Sequence, residues 1–325
     1  SWEEPYGKAL ALVTDFYTKY SQDQRHYDLY KVLDRVDKLS GEIDVLTKMQ
    51  KRVVKLALED FELSGVSLPD DKKLKYQKIT QDLALLSNDF DQNITHSTDA
   101  WSLYIKEEDK KMLDGLSNDF LSSFRQKAIK SGKGSGWLFD LHFPTYWVIM
   151  TQAKDSSLRE RFYKAWVTRA SDQSDFAPKW DNSNYMVDIL KNRNKKAGLL
   201  GFDDYAKYAL KQRMCKTSPD ILNFLKDIAT KAMPVAKAQW EDLKAFAIKE
   251  GVANLEPWDV LYYSEKLKQE KYGIDAESLR QYFPVDKVLA GLFDVISRLF
   301  SIKVELIDQE SAPSWLKGVF YNKDV

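Results

Sequence analysis

Apolar positions recur along most of this chain at spacings of three and four, the period of one face of an α-helix. Leu10, Val13 and Tyr17 set that period almost at once, so a helix is expected to run from about Tyr6, with Pro5 in its first turn. Leu46, Met49, Val53 and Leu56 repeat it, and Tyr76, Ile79, Leu83, Leu86, Phe90 and Ile94 sustain it. Between these two runs, Ser64-Gly65-Val66-Ser67-Leu68-Pro69 joins a helix stop to a helix start. The expectation is a long helical hairpin in which Leu46–Leu56 faces Ile79–Phe90. Its second arm would run from Lys72 to Thr95 over roughly 35 Å, at about 1.5 Å per residue.

The period changes in two places. Trp137 to Phe143 reads as a strand ended by Pro144, which places Asp140 and His142 on one face. Ile302 to Ile307 alternates apolar and charged residues as a half-exposed strand does, and Val319-Phe320-Tyr321 is its candidate partner. Between these stretches, Leu158, Phe162, Ala165 and Trp166 mark one helix, while Met186, Ile189 and Leu190 open another that Gly201 ends. Ser218-Pro219-Asp220 starts a further helix, with Ser218 as cap, Pro219 in the first turn and Asp220 at the positive end. Its expected buried face is Ile221, Leu225, Ile228 and Ala232, and Pro234 is expected to kink or end it.

The aromatics are densest from Leu255 to Phe300. Here Pro257-Trp258-Asp259 and Tyr262-Tyr263 precede a turn at Gly273 and a break at Tyr282-Phe283-Pro284. An apolar stripe of Val288, Leu292, Val295, Ile296 and Leu299 follows. The residues alone leave two readings, a packed helical core segment or a functional surface. The fold class is mainly α with a few short β-strands. Residues 1–135 form a helical region that includes the hairpin, and 136–325 a helical region with short strands near 137–143 and 302–321.

Composition narrows the function. A chain of 325 residues can bury a substantial core and would ordinarily make two domains. Lysine plus arginine equals aspartate plus glutamate at 49 each, which argues against a nucleic-acid partner. No apolar run approaches the roughly 18 residues of a membrane span, so no membrane partner is expected. Ser1-Trp2-Glu3-Glu4-Pro5-Tyr6 lacks a basic start and an apolar run, unlike a signal peptide. The single cysteine, Cys215, fits a reducing compartment, and the expected location is cytoplasmic. It reads as a buried, inert thiol.

Candidate chemistry is sparse. Gly132-Lys133-Gly134-Ser135-Gly136 invites comparison with a phosphate-binding loop, but it lacks the Walker spacing and precedes a strand, so it reads as a turn. Asp140 and His142 have no third metal ligand nearby and read as a solvated or hydrogen-bonded pair. Glu107-Glu108-Asp109, Asp70-Asp71 and Asp203-Asp204 read as solvated turns and helix ends, since adjacency alone shifts no pKa. Trp180-Asp181-Asn182 could line a substrate channel or form a tight loop that bonds its own backbone. No catalytic, cofactor-binding or metal-ligating residue is assigned.

A family resemblance rests on a series of short motifs. Trp258-Asp259, Tyr262-Tyr263-Ser264-Glu265-Lys266, Tyr282-Phe283-Pro284 and Gly291-Leu292-Phe293 resemble the oligopeptidase A family of zinc metallo-oligopeptidases, related to thimet oligopeptidase and neurolysin. Asp60-Phe61-Glu62-Leu63-Ser64-Gly65, Gly136-Trp137-Leu138 and Leu158-Arg159-Glu160 extend the resemblance upstream. Arg169-Ala170-Ser171-Asp172, Lys179-Trp180-Asp181-Asn182-Ser183 and Leu199-Leu200-Gly201-Phe202 add to it in the family's order.

The resemblance implies long antiparallel helices forming one wall of a neurolysin-like channel that admits short peptides. It also implies one zinc ion in the parent enzyme, held by a His-Glu-x-x-His helix and a downstream glutamate. None of His26, His96 and His142 is followed by such a motif. Zinc catalysis takes three protein ligands and an open position for water. The chain is therefore expected to be a non-catalytic N-terminal portion, inactive alone, whose partners are short peptides and a catalytic half carrying the zinc domain. The alternative is a self-contained helical binding or scaffold module.

Overall fold

The computed structural model describes residues 3–39, 46–273, 279, 281–305, 307 and 313. They fall into two compact units, Ser1–Ser264 and Glu265–Val325. The first unit opens with α1 (Glu3–Ser21), α2 (Gln24–Leu39), α3 (Lys48–Leu63) and the 31-residue α4 (Asp70–Ala100). Thr47 caps α3 in a capping box: its side chain accepts from the Gln50 amide while the Gln50 side chain accepts from Thr47.

The predicted helices form, but the hairpin faces differ from those expected. Val54 and Phe61 are the buried residues of α3, whereas Met49 and Val53 are exposed. The helix packs against α2, where Tyr27 and Tyr30 approach the Phe61 ring at 5.9 and 5.7 Å. α4 packs instead against α1 and against α8 (Ser183–Leu199). The two arms touch at their joint, where the Tyr76 hydroxyl donates to the Leu63 carbonyl at 3.0 Å.

Two strands follow α4. β1 (Ser102–Lys106) and β2 (Gly136–Asp140) pair antiparallel, with Ser102 opposite Asp140 and Lys106 opposite Gly136. Gly136 has φ +139°, and a Cβ there would lie 2.6 Å from the Ile105 carbonyl oxygen, so only glycine fits this close approach. α5 (Asn118–Lys130) packs on β2, and α6 (Phe143–Gln152) packs against α7 (Ser156–Val167). Phe139, Leu141, Ile149, Met150, Leu158 and Phe162 are fully buried together and form the centre of the core. The Phe139 and Phe162 rings meet edge to face at 6.1 Å.

After α8 come α9 (Tyr205–Leu210), α10 (Ser218–Lys249) and α11 (Val260–Tyr272). α10 starts one residue earlier than the sequence suggested. Thr217 is its cap and accepts from the Asp220 amide, with Ser218 and Pro219 in the first turn. It also passes through Pro234 without ending. The carbonyl that loses its donor there belongs to exposed Thr230, where water can serve it. Ile221, Leu225, Ile228 and Ala232 do not form a buried face. Leu225 and Ile228 are about half exposed, at 53% and 47%.

In the second unit Pro284 caps a helix over Val285–Phe300, so the break at Tyr282-Phe283-Pro284 falls where expected. Its stripe of Val288, Leu292, Val295 and Leu299 is exposed. Residues 302–305 form no strand. The proposed partner strand at Val319–Tyr321 lies outside the described residues. No described helix is long and apolar enough to cross a membrane.

Candidate functional site

The aromatic stretch at the start of α11 is built into the core of the first unit. Asp259 is buried, and its carboxylate meets the guanidinium of Arg159 on α7 at 2.5 Å. Arg159 Nη1 also donates to the carbonyls of Ala153 and Lys154, at 2.6 and 3.0 Å, where α6 turns into α7. Asp259 accepts from the Ser156 hydroxyl at 2.8 Å and from the Glu256 amide at 3.3 Å. Trp258 Nε1 donates to the same Ser156 hydroxyl at 3.1 Å. The Arg159 guanidinium lies 4.3 Å from the centre of the Tyr262 ring. Pairing and hydrogen bonding together make such a buried charge tolerable. Of the two readings the sequence left for residues 255–263, the packed one describes these contacts.

Trp180-Asp181-Asn182 forms the tight loop. Asp181 accepts from the amide and hydroxyl of Ser183 at 2.9 and 2.7 Å, and these bonds hold its carboxyl below the usual range. Asn182 is buried, donates to the Phe90 carbonyl at 3.0 Å and accepts from the Asn93 amide at 2.9 Å. The loop thereby ties the start of α8 to α4. Trp180 packs beside His96 and Phe176, with centroids 5.8 and 5.3 Å apart.

Asp140 and His142 do not share a strand face, because β2 stops at Asp140 and His142 is the residue capping α6. Pro144 sits in that helix's first turn, so the chain turns helical sooner than the sequence suggested. Asp140 accepts from Lys127 at 2.8 Å, Thr145 at 2.7 Å and the His142 amide at 3.2 Å. Burial alone would push this carboxyl up, but those donors and the Lys127 charge outweigh it and hold the pKa below normal. The glycine-rich segment is a turn: Gly132 follows Ser131, the C-terminal cap of α5, at φ +71°, and the Tyr104 hydroxyl donates to the carbonyls of Lys133 and Ser135.

The three histidines lie beside different carboxylates. His26 Nδ1 is 3.7 Å from Asp23, His96 Nε2 is 2.8 Å from Glu3, and His142 Nε2 is 3.6 Å from Asp99. Among the described residues no group of three His, Cys, Asp or Glu side chains is placed to hold a metal ion. These residues therefore do not fit the ligand set a catalytic zinc takes. Cys215 is a free, half-buried thiol, not a buried one.

Several notable groups escaped the sequence reading. Arg159 stands beside Leu158 on an apolar helical face, and an arginine in that position is itself a signal for a buried partner. Lys196 on α8 lies 4.7 Å over the Tyr76 ring, and burial lowers its pKa to about 8. A cavity of about 840 Å³ between α3 and the α9–α10 connection is lined by basic side chains that the sequence scatters over 160 residues.

The same sequence shows its relationship directly. The description of peptidase family M3 matches residues 149–324, more than half of the chain. The chain belongs to peptidase family M3. It is similar to oligopeptidase A of Salmonella typhimurium, with 39% identity over 300 residues covering 92% of this chain and 43% of that protein. Oligopeptidase A of Haemophilus influenzae is 37% identical over 317 residues, which are 97% of this chain and 45% of that protein. A probable cytosolic oligopeptidase A of Arabidopsis thaliana is 33% identical over 316 residues, 94% of this chain and 43% of that protein. The chain thus spans less than half the length of these M3 relatives, and the motifs quoted above from Asp60 to Phe293 lie within the part they share.

Proposed function

We propose that this chain is the N-terminal, non-catalytic portion of a zinc metallo-oligopeptidase that hydrolyses short peptides, and that it forms part of the substrate-channel wall. Membership in family M3 supplies the peptidase class. The observation that carries the wall role is the stripe along α10, where Phe224, Leu225, Ile228 and Val235 share a helical face and are each 47–60% exposed. Exposed apolar stripes of this length mark surfaces that are covered by a partner. The occupant this reading assigns is the portion of an M3 relative that the chain does not match. That portion would hold the zinc, and the shape of the channel would restrict substrates to short, flexible peptides. The single cysteine, Cys215, supports a reducing compartment, and on this reading the parent enzyme is cytoplasmic.

The test combines this chain with the unmatched portion of Salmonella typhimurium oligopeptidase A and follows both sedimentation and cleavage of a quenched short peptide. The reading expects no turnover by the chain alone, and association with chelator-sensitive turnover in the mixture. Chelator-sensitive turnover that co-purifies with the chain alone would overturn the non-catalytic role. Absence of any association would replace the wall reading with a self-contained binding module.

A further inference from the structure

The cavity between α3 and the α9–α10 connection has a composition that the peptidase reading leaves unused. It has a volume of about 840 Å³, and Arg52 and Lys55 on α3 face it from one side. Lys211 and Arg213 face it from the segment after α9. Two further cations, Lys207 and Lys216, also line it, against a single carboxylate, Glu59. The charges differ in how they are engaged. Lys207 is held 2.6 Å from Asp203, and Lys216 donates to the Lys211 carbonyl at 3.0 Å. Among the described residues no carboxylate lies within ion-pair distance of the charged ends of Arg52, Lys55, Lys211 or Arg213. The nearby Asp60 accepts from the neutral side-chain amide of Gln212.

A second lysine-lined cavity of the unit is partly neutralised: Lys75 and Lys78 on α4 are paired along their own helix with Asp71 and Asp82, which leaves Lys72 and Lys195. Pairs of that kind are the ordinary state of a solvated helix face. Four unpaired cations beside a single lining carboxylate, Glu59, leave the cavity with an excess of positive charge, and a ligand of opposite sign reduces their mutual repulsion.

Two features select the ligand's chemistry. The first is the state of the α10 N-terminus, which borders the cavity. Pro219 has no amide hydrogen, the Asp220 amide is capped by Thr217, and the Asp220 carboxylate accepts from the Thr217 hydroxyl. A compact phosphate seated on a helix start uses several free amides and the positive helix end; here the Ser218 amide alone is left in the first turn, and the Asp220 carboxylate already sits at the positive end. The second is the lining between the two sets of cations, which includes Leu56 and the half-buried Phe202. Cations on opposite walls with apolar surface between them match anionic groups spread along an extended ligand that also carries an apolar side chain.

We infer that this cavity binds an acidic peptide segment, whose carboxylates pair with Arg52 and Lys55 on one wall and Lys211 and Arg213 on the other, with an apolar side chain against Leu56 and Phe202. Binding here stands whether or not the bound peptide is ever cut, so it does not depend on the catalytic reading.

The experiment measures fluorescence anisotropy of the full chain with a labelled, end-capped peptide of about seven alternating glutamates and leucines. A glutamine-for-glutamate counterpart and tripolyphosphate are the comparison arms. Arg52 and Lys211 are exposed, so Arg52→Glu/Lys211→Glu leaves the thermal melt in place and keeps the readout interpretable. The expected result is saturable binding of the glutamate peptide that weakens with salt. The double charge reversal is expected to weaken it by about tenfold or more, while Arg52→Lys/Lys211→Arg retains it. Equal binding of the glutamine peptide would overturn the inference, as would indifference to the double reversal. Binding of tripolyphosphate more tightly than the peptide would also overturn it, by showing a phosphate site.

Discussion

Arg159 and Asp259 stand 100 residues apart in sequence and meet as a buried ion pair that fastens the start of α11 to the joint between α6 and α7. The pair is not a source of net stability in itself, since desolvating two charges offsets most of their attraction. Its consequence is specificity of placement, because either partner left alone would be an uncompensated buried charge. Asp259→Ala is therefore expected to destabilise the chain by about 3–5 kcal/mol. Arg159→Met/Asp259→Leu should recover part of that loss, since neither charge is then left unpaired, while the buried Ala153 carbonyl still loses its Arg159 donor. Denaturant melts of the two single variants and the pair give the coupling directly. Additive single-variant effects would show that the two side chains do not act as a pair.

Two glycines of this chain are expected to respond to alanine with opposite signs. Gly115 has φ +97°, and a Cβ there would fall 2.2 Å from the Gln152 carbonyl oxygen, a backbone atom that cannot swing aside. Gly115→Ala should cost at least about 1–3 kcal/mol from backbone strain. Gly198 lies within α8, with nothing within 4 Å of its added Cβ and no positive φ. Gly198→Ala should stabilise by about 0.5–1 kcal/mol, because it restricts the unfolded chain without meeting a neighbour. Thermal melts of the two variants decide the matter, and shifts of the same sign would contradict the backbone account.

Sequence period located most of the helices and the strand at Trp137, because period and punctuation are local properties. It misjudged which side of a helix is covered. Val53 and Val54 are adjacent and equally apolar, so no pattern within α3 distinguishes the exposed one from the buried one; the position of α2 does. The stripe on α10 read as buried because periodicity reports that a face is apolar, not that the same chain covers it. The Arg159–Asp259 pair was beyond reach for a different reason, since a single charge on an apolar face names no partner 100 residues away. The basic cavity was equally hidden. Arg52 and Lys55 are ordinary helix-surface residues until the segment at Lys211–Arg213 folds opposite them.

Lys196 supplies a pH signature. Burial lowers its pKa from the ordinary 10.5 to about 8, even with the Tyr76 ring beneath the ammonium to favour the charged form. Below about pH 8 the folded chain carries the full cost of a poorly hydrated ammonium. Between about 8 and 10.5 the folded chain sheds this proton while the unfolded chain keeps it, so Lys196's contribution to stability rises with pH. Lys196→Met keeps the apolar stem and removes the titration. The stability advantage of Lys196→Met over the parent chain should shrink across that interval and level off above it. Urea melts of both proteins from pH 7 to 11 make the comparison, and parallel stability curves would reject the assignment.

The stripe on α10 makes the sharpest distinction between a surface meant for a partner and one meant for the chain itself. Leu225 and Ile228 lie three residues apart on one face, each about half exposed. If the chain's own stability drew on that face, introducing charge there would cost several kcal/mol, as it does at a core position. An exposed position instead tolerates the change to within about 0.5 kcal/mol. Leu225→Glu/Ile228→Glu is accordingly expected to leave the denaturation midpoint almost unchanged. The same variant should lose association with the unmatched portion of an M3 relative, because two carboxylates would then be buried without partners at the junction. Sedimentation with and without that portion, beside a denaturant melt of the chain alone, reads both effects. A large loss of intrinsic stability would place the stripe in the chain's own core. Association that survives the two charges would move the junction to another face of the molecule.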